Sequence, residues 1–167
     1  STVKYGGQSL TRINGVVVNS TDRVELWYLK EAGIVAATNT TFVVTYGAAT
    51  PTDRLFAAAT IKNVDQTSPI VASNVNSTNA STPNPLPTTV SVTADGLAIA
   101  AEISGDKGTF TWGNGWTEGT DQNGSSSSAT SADHAVAANG TDTAGATASA
   151  QHRVAVVAAS LRVAVAP

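Results

Sequence analysis

The chain has 167 residues, 41% of them apolar and only 13% charged, with a net charge of −3 and neither Cys nor Met. The missing thiols exclude a disulfide scaffold, a zinc–thiolate centre and cysteine chemistry, and the acidic balance argues against nucleic acid as the main partner. No apolar run approaches the roughly 18 residues of a membrane span, and no basic-then-apolar leader stands before Ser1, so the chain reads as a soluble, mature protein with no membrane insertion.

Alternation of apolar and polar residues, the mark of strands lying on a core, runs through the sequence. In residues 23–29, Val24, Leu26 and Tyr28 share one face while Glu25, Trp27 and Leu29 share the other, which predicts a strand covered on both sides. Phe42, Val44 and Tyr46 line up between threonines. Leu55, Ala57, Ala59 and Ile61 alternate next, followed by Leu97, Ile99, Ala101 and Ile103. Near the end, Val154, Val156, Ala158 and Ser160 oppose Ala155, Val157, Ala159 and Leu161.

Turn pairs punctuate these runs: Gly6-Gly7, Asn14-Gly15, Thr50-Pro51, Ser68-Pro69, Asp95-Gly96, Asn114-Gly115, Asn123-Gly124 and Asn139-Gly140. Helix fits poorly; the best stretch, residues 132–138, is stopped by Asn139-Gly140. The pattern predicts an all-β fold, a β-sandwich or jelly roll of about ten short, mainly antiparallel strands in a single domain over residues 1–167. Two long surface loops are expected. Residues 74–89 carry Pro83, Pro85 and Pro87 among Asn, Ser and Thr, and residues 119–131 are Gly/Ser-rich and expected to be mobile.

Charge is divided unevenly. Residues 1–62 hold six basic side chains (Lys4, Arg12, Arg23, Lys30, Arg54, Lys62) and four acidic ones, whereas residues 63–152 hold Lys107 against eight acids. Opposite potentials of this kind favour head-to-tail contact between copies.

Catalysis needs a nucleophile or paired acid and base groups, and little here supplies them. A metal on His134 would call on Asp133, but neighbours on a strand point to opposite faces; His152 stands far off in sequence. No Gly-x-Ser-x-Gly elbow is present. Asp121-Gln122-Asn123-Gly124 resembles the middle of a calcium loop whose end positions, Gly119 and Thr130, carry no carboxylate, leaving only a non-standard calcium site at Asp106 or Asp121 open. The chain is therefore expected to be no enzyme, with no catalytic residue, cofactor or resident metal. Phe110, Trp112 and Trp116 cluster around Gly113-Asn114-Gly115. The two indoles make either a platform on which sugar rings stack or a clamp that plugs the end of the sandwich. Six sequons for N-glycosylation, at Asn19, Asn39, Asn76, Asn79, Asn123 and Asn139, all fall at predicted turns or loops.

Three stretches carry a resemblance: Val3-Lys4-Tyr5-Gly6-Gly7-Gln8-Ser9-Leu10-Thr11, Val24-Glu25-Leu26-Trp27-Tyr28-Leu29 and Asn63-Val64-Asp65-Gln66-Thr67-Ser68-Pro69. With these and its closing strand, the chain resembles a broad family of β-sandwich modules in large secreted or surface proteins of bacteria and archaea, and in predicted viral structural proteins. The resemblance implies a non-catalytic, extracellular module and no active-site residue. Relatives carry a further strand or two before the Tyr-Gly-Gly strand, which implies a trimmed start, a chain that closes its own edge, or an open edge filled by another copy.

The expected function is thus a secreted structural module at a cell or virion surface, a glycoprotein that assembles with copies of itself into a filament, sheath or virion by strand exchange. The alternative is a carbohydrate-binding or adhesive module in which Trp112 and Trp116 meet glycans.

Overall fold

The computed structural model describes residues 1–47 and 50–164. In chain order its elements are β1 (Thr2–Tyr5), β2 (Gln8–Ser9), β3 (Thr11–Val18), β4 (Asp22–Tyr28), α1 (Glu31–Val35), β5 (Phe42–Thr45), β6 (Ile70–Thr78), β7 (Thr88–Val92), β8 (Leu97–Ser104), β9 (Phe110–Trp112), β10 (Thr117–Asn123), β11 (Ser128–Ala135), β12 (Gly140–Ala144), β13 (Ala146–Ala148) and β14 (Val154–Leu161). The expected all-β sandwich is what forms, with every strand pairing antiparallel.

Every position of β14 is apolar or small, so the strand can be buried on both faces, and all eight of its residues are. It lies inside a five-stranded sheet ordered β10-β11-β8-β14-β6. On one face of that sheet packs the β3–β4 hairpin: Val18 and Val24 meet Ala155 and Val157 there, with Leu26, Val75 and Ile103 around them. On the other face lie the paired strands β7–β12 and β9–β13. Here the sheet presents small residues, Ala98, Ala100, Ala132 and Ala158, and the covering layer fills the space with Phe110, Trp112 and Trp116. Large against small across the layers lets the two surfaces interlock at interior density.

A satellite sheet, ordered β2-β1-β5, stands apart from this sandwich. Its tight turn at Gly6-Gly7 uses positive φ at both residues (53° and 86°). A Cβ on Gly6 would also sit 2.4 Å from the Asn39 carbonyl oxygen, so only glycine lets the chain before β5 pack there.

Several expectations are corrected. Residues 55–61 alternate but form no strand; among the described residues only Phe56 finds a hydrogen-bond partner, its N–H and C=O both bonded to the side-chain amide of Gln122 (3.1 and 2.6 Å). Asn14-Gly15 is no turn: both residues pair within β3 just past a bulge at Ile13, and Asn14 Oδ1 accepts the Gly15 N–H at 2.8 Å. Residues 132–135 continue β11 instead of turning helical, because even positions there face the tryptophan layer; the one helix among the described residues is α1. In β4 Val24 is buried, and Glu25 and Trp27 on one face, like Leu26 and Tyr28 on the other, are half-buried.

Neither long loop survives at its expected length. Residues 74–78 belong to β6 and residues 88–89 to β7. Residues 119–131 form the β10–β11 hairpin, whose turn is held by Asp53 from across the sequence. That carboxylate accepts from the Ser125 N–H (2.7 Å), the Ser126 N–H (2.9 Å) and the hydroxyls of Ser125, Ser126 and Ser127 (2.6, 3.1 and 2.8 Å). Those bonds, the Ser125 hydroxyl foremost, hold the Asp53 carboxyl well below the usual carboxylate range. A depressed carboxyl stabilises above its unfolded pKa and fails only as pH falls through its folded one, so the clasp should persist unchanged down to about pH 4. Asp53→Ala should instead speed amide hydrogen exchange at Ser125 and Ser126; equal exchange in the two proteins would show that the turn holds itself.

Candidate functional site

A close polar pair joins His134 to a residue the sequence did not suggest. His134 Nδ1 lies 2.6 Å from Asp142 Oδ2, whose other oxygen accepts the Thr143 N–H at 2.8 Å. Asp133 is exposed on the opposite face of β11, as expected from strand geometry. The pair borders an open cavity of about 270 Å³ lined also by Val92, Val136 and Asn139. The far side of the imidazole backs onto Gly115, where an added Cβ would sit 3.1 Å from Nε2. The pair thus braces β11 of the main sheet against β12 of the covering layer. His152 is exposed, at the opposite end of the strands. Asp121 Oδ2 accepts the Phe110 N–H at 2.8 Å, and among the described residues no group of three or more His, Asp or Glu side chains gathers at one point.

The two tryptophans do not make a platform. Trp112 is 8% exposed and Trp116 7%, their rings 5.5 Å apart and tilted by 32°. Trp112 Nε1–H donates to Thr130 Oγ1 (2.9 Å) and Trp116 Nε1–H to the Thr143 carbonyl (3.0 Å). Gly113-Asn114-Gly115 carries the chain from the covering layer, where β9 lies, to the main sheet, where β10 lies. The indoles flanking it fill the gap between those layers, so neither offers an open ring face to a sugar.

The exposed apolar side chains are unevenly spread. Among the described residues, the large hydrophobic side chains left exposed are Val17 and six others, Ile34, Val35, Phe42, Val43, Phe56 and Ile61, all six within residues 34–61. Single exposed apolar residues are ordinary, but this concentration is not. β5 contributes Phe42 and Val43, each half-exposed, on opposite faces of one edge strand.

Unpaired edges are an association hazard, and three of this molecule's edge strands, β6, β10 and β12, carry devices against it. Along β6, Asn74 and Asn76 each turn Oδ1 onto the next residue's N–H (Val75 and Ser77, both 2.9 Å) and give Nδ2–H to β7 or the residue before it (Thr89 and Pro87 carbonyls, 3.0 and 2.7 Å). On β12, Asp142 caps the Thr143 N–H in the same way. β10 is bulged between Glu118 and Thr120 and carries two acidic residues, Glu118 and Asp121. β5 has no such device: among the described residues no side chain caps its outer N–H groups, and no charge lies within it. The Asn-x-Asn spacing in β6 was the readable sign of a capped edge, whereas nothing local marks β5 as uncovered.

Comparison of the chain with protein-family models, with curated proteins and with solved structures gives no match.

Proposed function

We propose that the chain is a non-enzymatic structural module of a cell-surface or virion assembly, joined to further copies of itself through the edge of β5. The observation that carries the reading is the contrast between edges. β6 and β12 are capped by their own side chains and β10 is blunted by a bulge and acids, while β5 is uncharged, uncapped and flanked by exposed Phe42 and Val43. A second copy laying an extended segment along β5 would satisfy its outer backbone groups and cover those two side chains. Residues 57–62 are themselves exposed and bonded to no described residue, which makes them a candidate for that segment. Strand exchange repeated from copy to copy gives a filament when the operation does not close. The extracellular setting rests on the resemblance of the Tyr-Gly-Gly, Val-Glu-Leu-Trp-Tyr-Leu and Val-Asp-Gln-Thr-Ser-Pro motifs to surface modules.

Light scattering over a concentration series, with negative-stain microscopy of the same samples, tests this. The unmodified chain should grow into oligomers or fibres. Val43→Lys places a charge on the open edge at a half-exposed position, where folding is little affected, and should stay monomeric at every concentration with an unchanged far-ultraviolet circular dichroism spectrum. A monodisperse unmodified monomer throughout would overturn the proposal.

A further inference from the structure

The six asparagines in Asn-x-Ser/Thr triplets are alike in sequence but differ in how their side chains are engaged. N-glycosylation joins Nδ2 to the anomeric carbon of a lipid-diphosphate-linked oligosaccharide. A C–N bond forms, the anomeric C–O bond to the diphosphate breaks, the nitrogen gives up one proton, and the lipid diphosphate leaves. The finished side chain must then project a bulky polar chain from Nδ2 without disturbing the fold.

Asn76 cannot do so. It sits inside β6, contrary to its expected loop position, with Nδ2–H donated to the Pro87 carbonyl (2.7 Å) and Oδ1 accepting the Ser77 N–H (2.9 Å). A sugar on that nitrogen would have to occupy the seam between β6 and the chain entering β7. Asn39 is held on both amide atoms, by the Thr41 N–H (2.9 Å) and more weakly towards the Thr38 hydroxyl (3.4 Å). Asn123 and Asn139 each use Oδ1 to fasten a neighbouring segment, at the Gly108 and Ala94 N–H groups (3.0 and 2.9 Å).

Asn19 and Asn79 differ from all four. Both are exposed, both lie just past the end of a strand, and neither amide is bonded to another described residue. They also share one end of the molecule. Asn79 follows Thr78, which pairs with Val154 at the start of β14; Asn19 tips the β3–β4 hairpin, which the Asp22–Arg153 ion pair (3.2 Å) ties to the same place. The segment before α1 and the start of α1 are fastened at the other end of β14, through Lys30 to the Thr67 carbonyl, Gln66 to the Glu31 N–H and Asp65 to Arg162.

We infer that Asn19 and Asn79 are the N-glycan acceptors of this chain, forming a sugar-bearing end, and that Asn76 is a structural asparagine despite its sequon. The inference stands independently of self-association. Its test is site mapping of the unmutated chain secreted from a eukaryotic, N-glycosylating host, by enzymatic deglycosylation in heavy-oxygen water and mass spectrometry of the peptides. Expected are heavy aspartate at positions 19 and 79 and unmodified Asn76. Lack of modification at either of the first two, or a glycan on Asn76 in the secreted protein, would overturn it.

Discussion

Stability should fall by roughly 3 kcal/mol between about pH 5 and pH 8, and Glu102→Gln should remove most of that slope. Glu102 lies on the face of β8 that carries Ala98 and Ala100, and it is fully buried. Its Oε2 accepts the Ala146 N–H at 2.8 Å, while Oε1 has no hydrogen-bond partner. Its cross-strand neighbours are Thr130 on β11 and Val156 on β14, neither of which ionises. Burial, outweighing the Ala146 hydrogen bond, pushes the carboxyl up to about 8 from an ordinary value of 4.5. The folded protein therefore keeps a proton that the unfolded chain gives up. The contribution is fully present below the unfolded value and is lost as pH rises through the folded one, with a limiting slope near 1.4 kcal/mol per pH unit. Asp53 and Asp65, whose carboxyls are held low, titrate below this window. Urea midpoints measured across the pH range for both proteins decide the matter. Gln keeps a carbonyl for Ala146 but cannot ionise, so an equally steep slope in Glu102→Gln would clear Glu102 of the effect.

Trp112→Ala should cost about 3–5 kcal/mol, the range for removing a large aromatic from a close-packed core. The indole is buried between the layers, lies against Trp116 and donates to Thr130 Oγ1. Trp112→Phe keeps most of the volume and loses the N–H, so it should cost about 1–2 kcal/mol. Chemical denaturation followed by circular dichroism measures both. A loss under about 1 kcal/mol for Trp112→Ala would mean that the layer packs without the ring, and would reopen the sugar-stacking use of these two residues.

The candidate surface and the polar braces were much less readable than the strands. β8 and β14 could be read because alternation is set by the period of the strand itself. Glu102 went unread, although it is the one charged residue on an otherwise small-residue face of β8. Asp142 could not be read, since its distance from His134 depends on where β12 lies after leaving the sheet that holds β11. Asp53 was further removed, reaching serines more than seventy residues away. Residues 55–61 misled for the converse reason: alternation makes a segment able to pair but does not supply a partner.

By itself the sequence determined the fold class, the positions of the principal strands, the absence of thiol chemistry and the six sequons, because each follows from local residue type and spacing. Tertiary structure decided which strand is central, which indoles are buried, which asparagines are engaged and which edge strands carry caps. Those are questions of what lies opposite a residue, and in an antiparallel sandwich that neighbour comes from a distant part of the chain: Glu102 reaches Ala146, Asp53 reaches Ser125, and β5 meets β1 on one side and nothing described on the other.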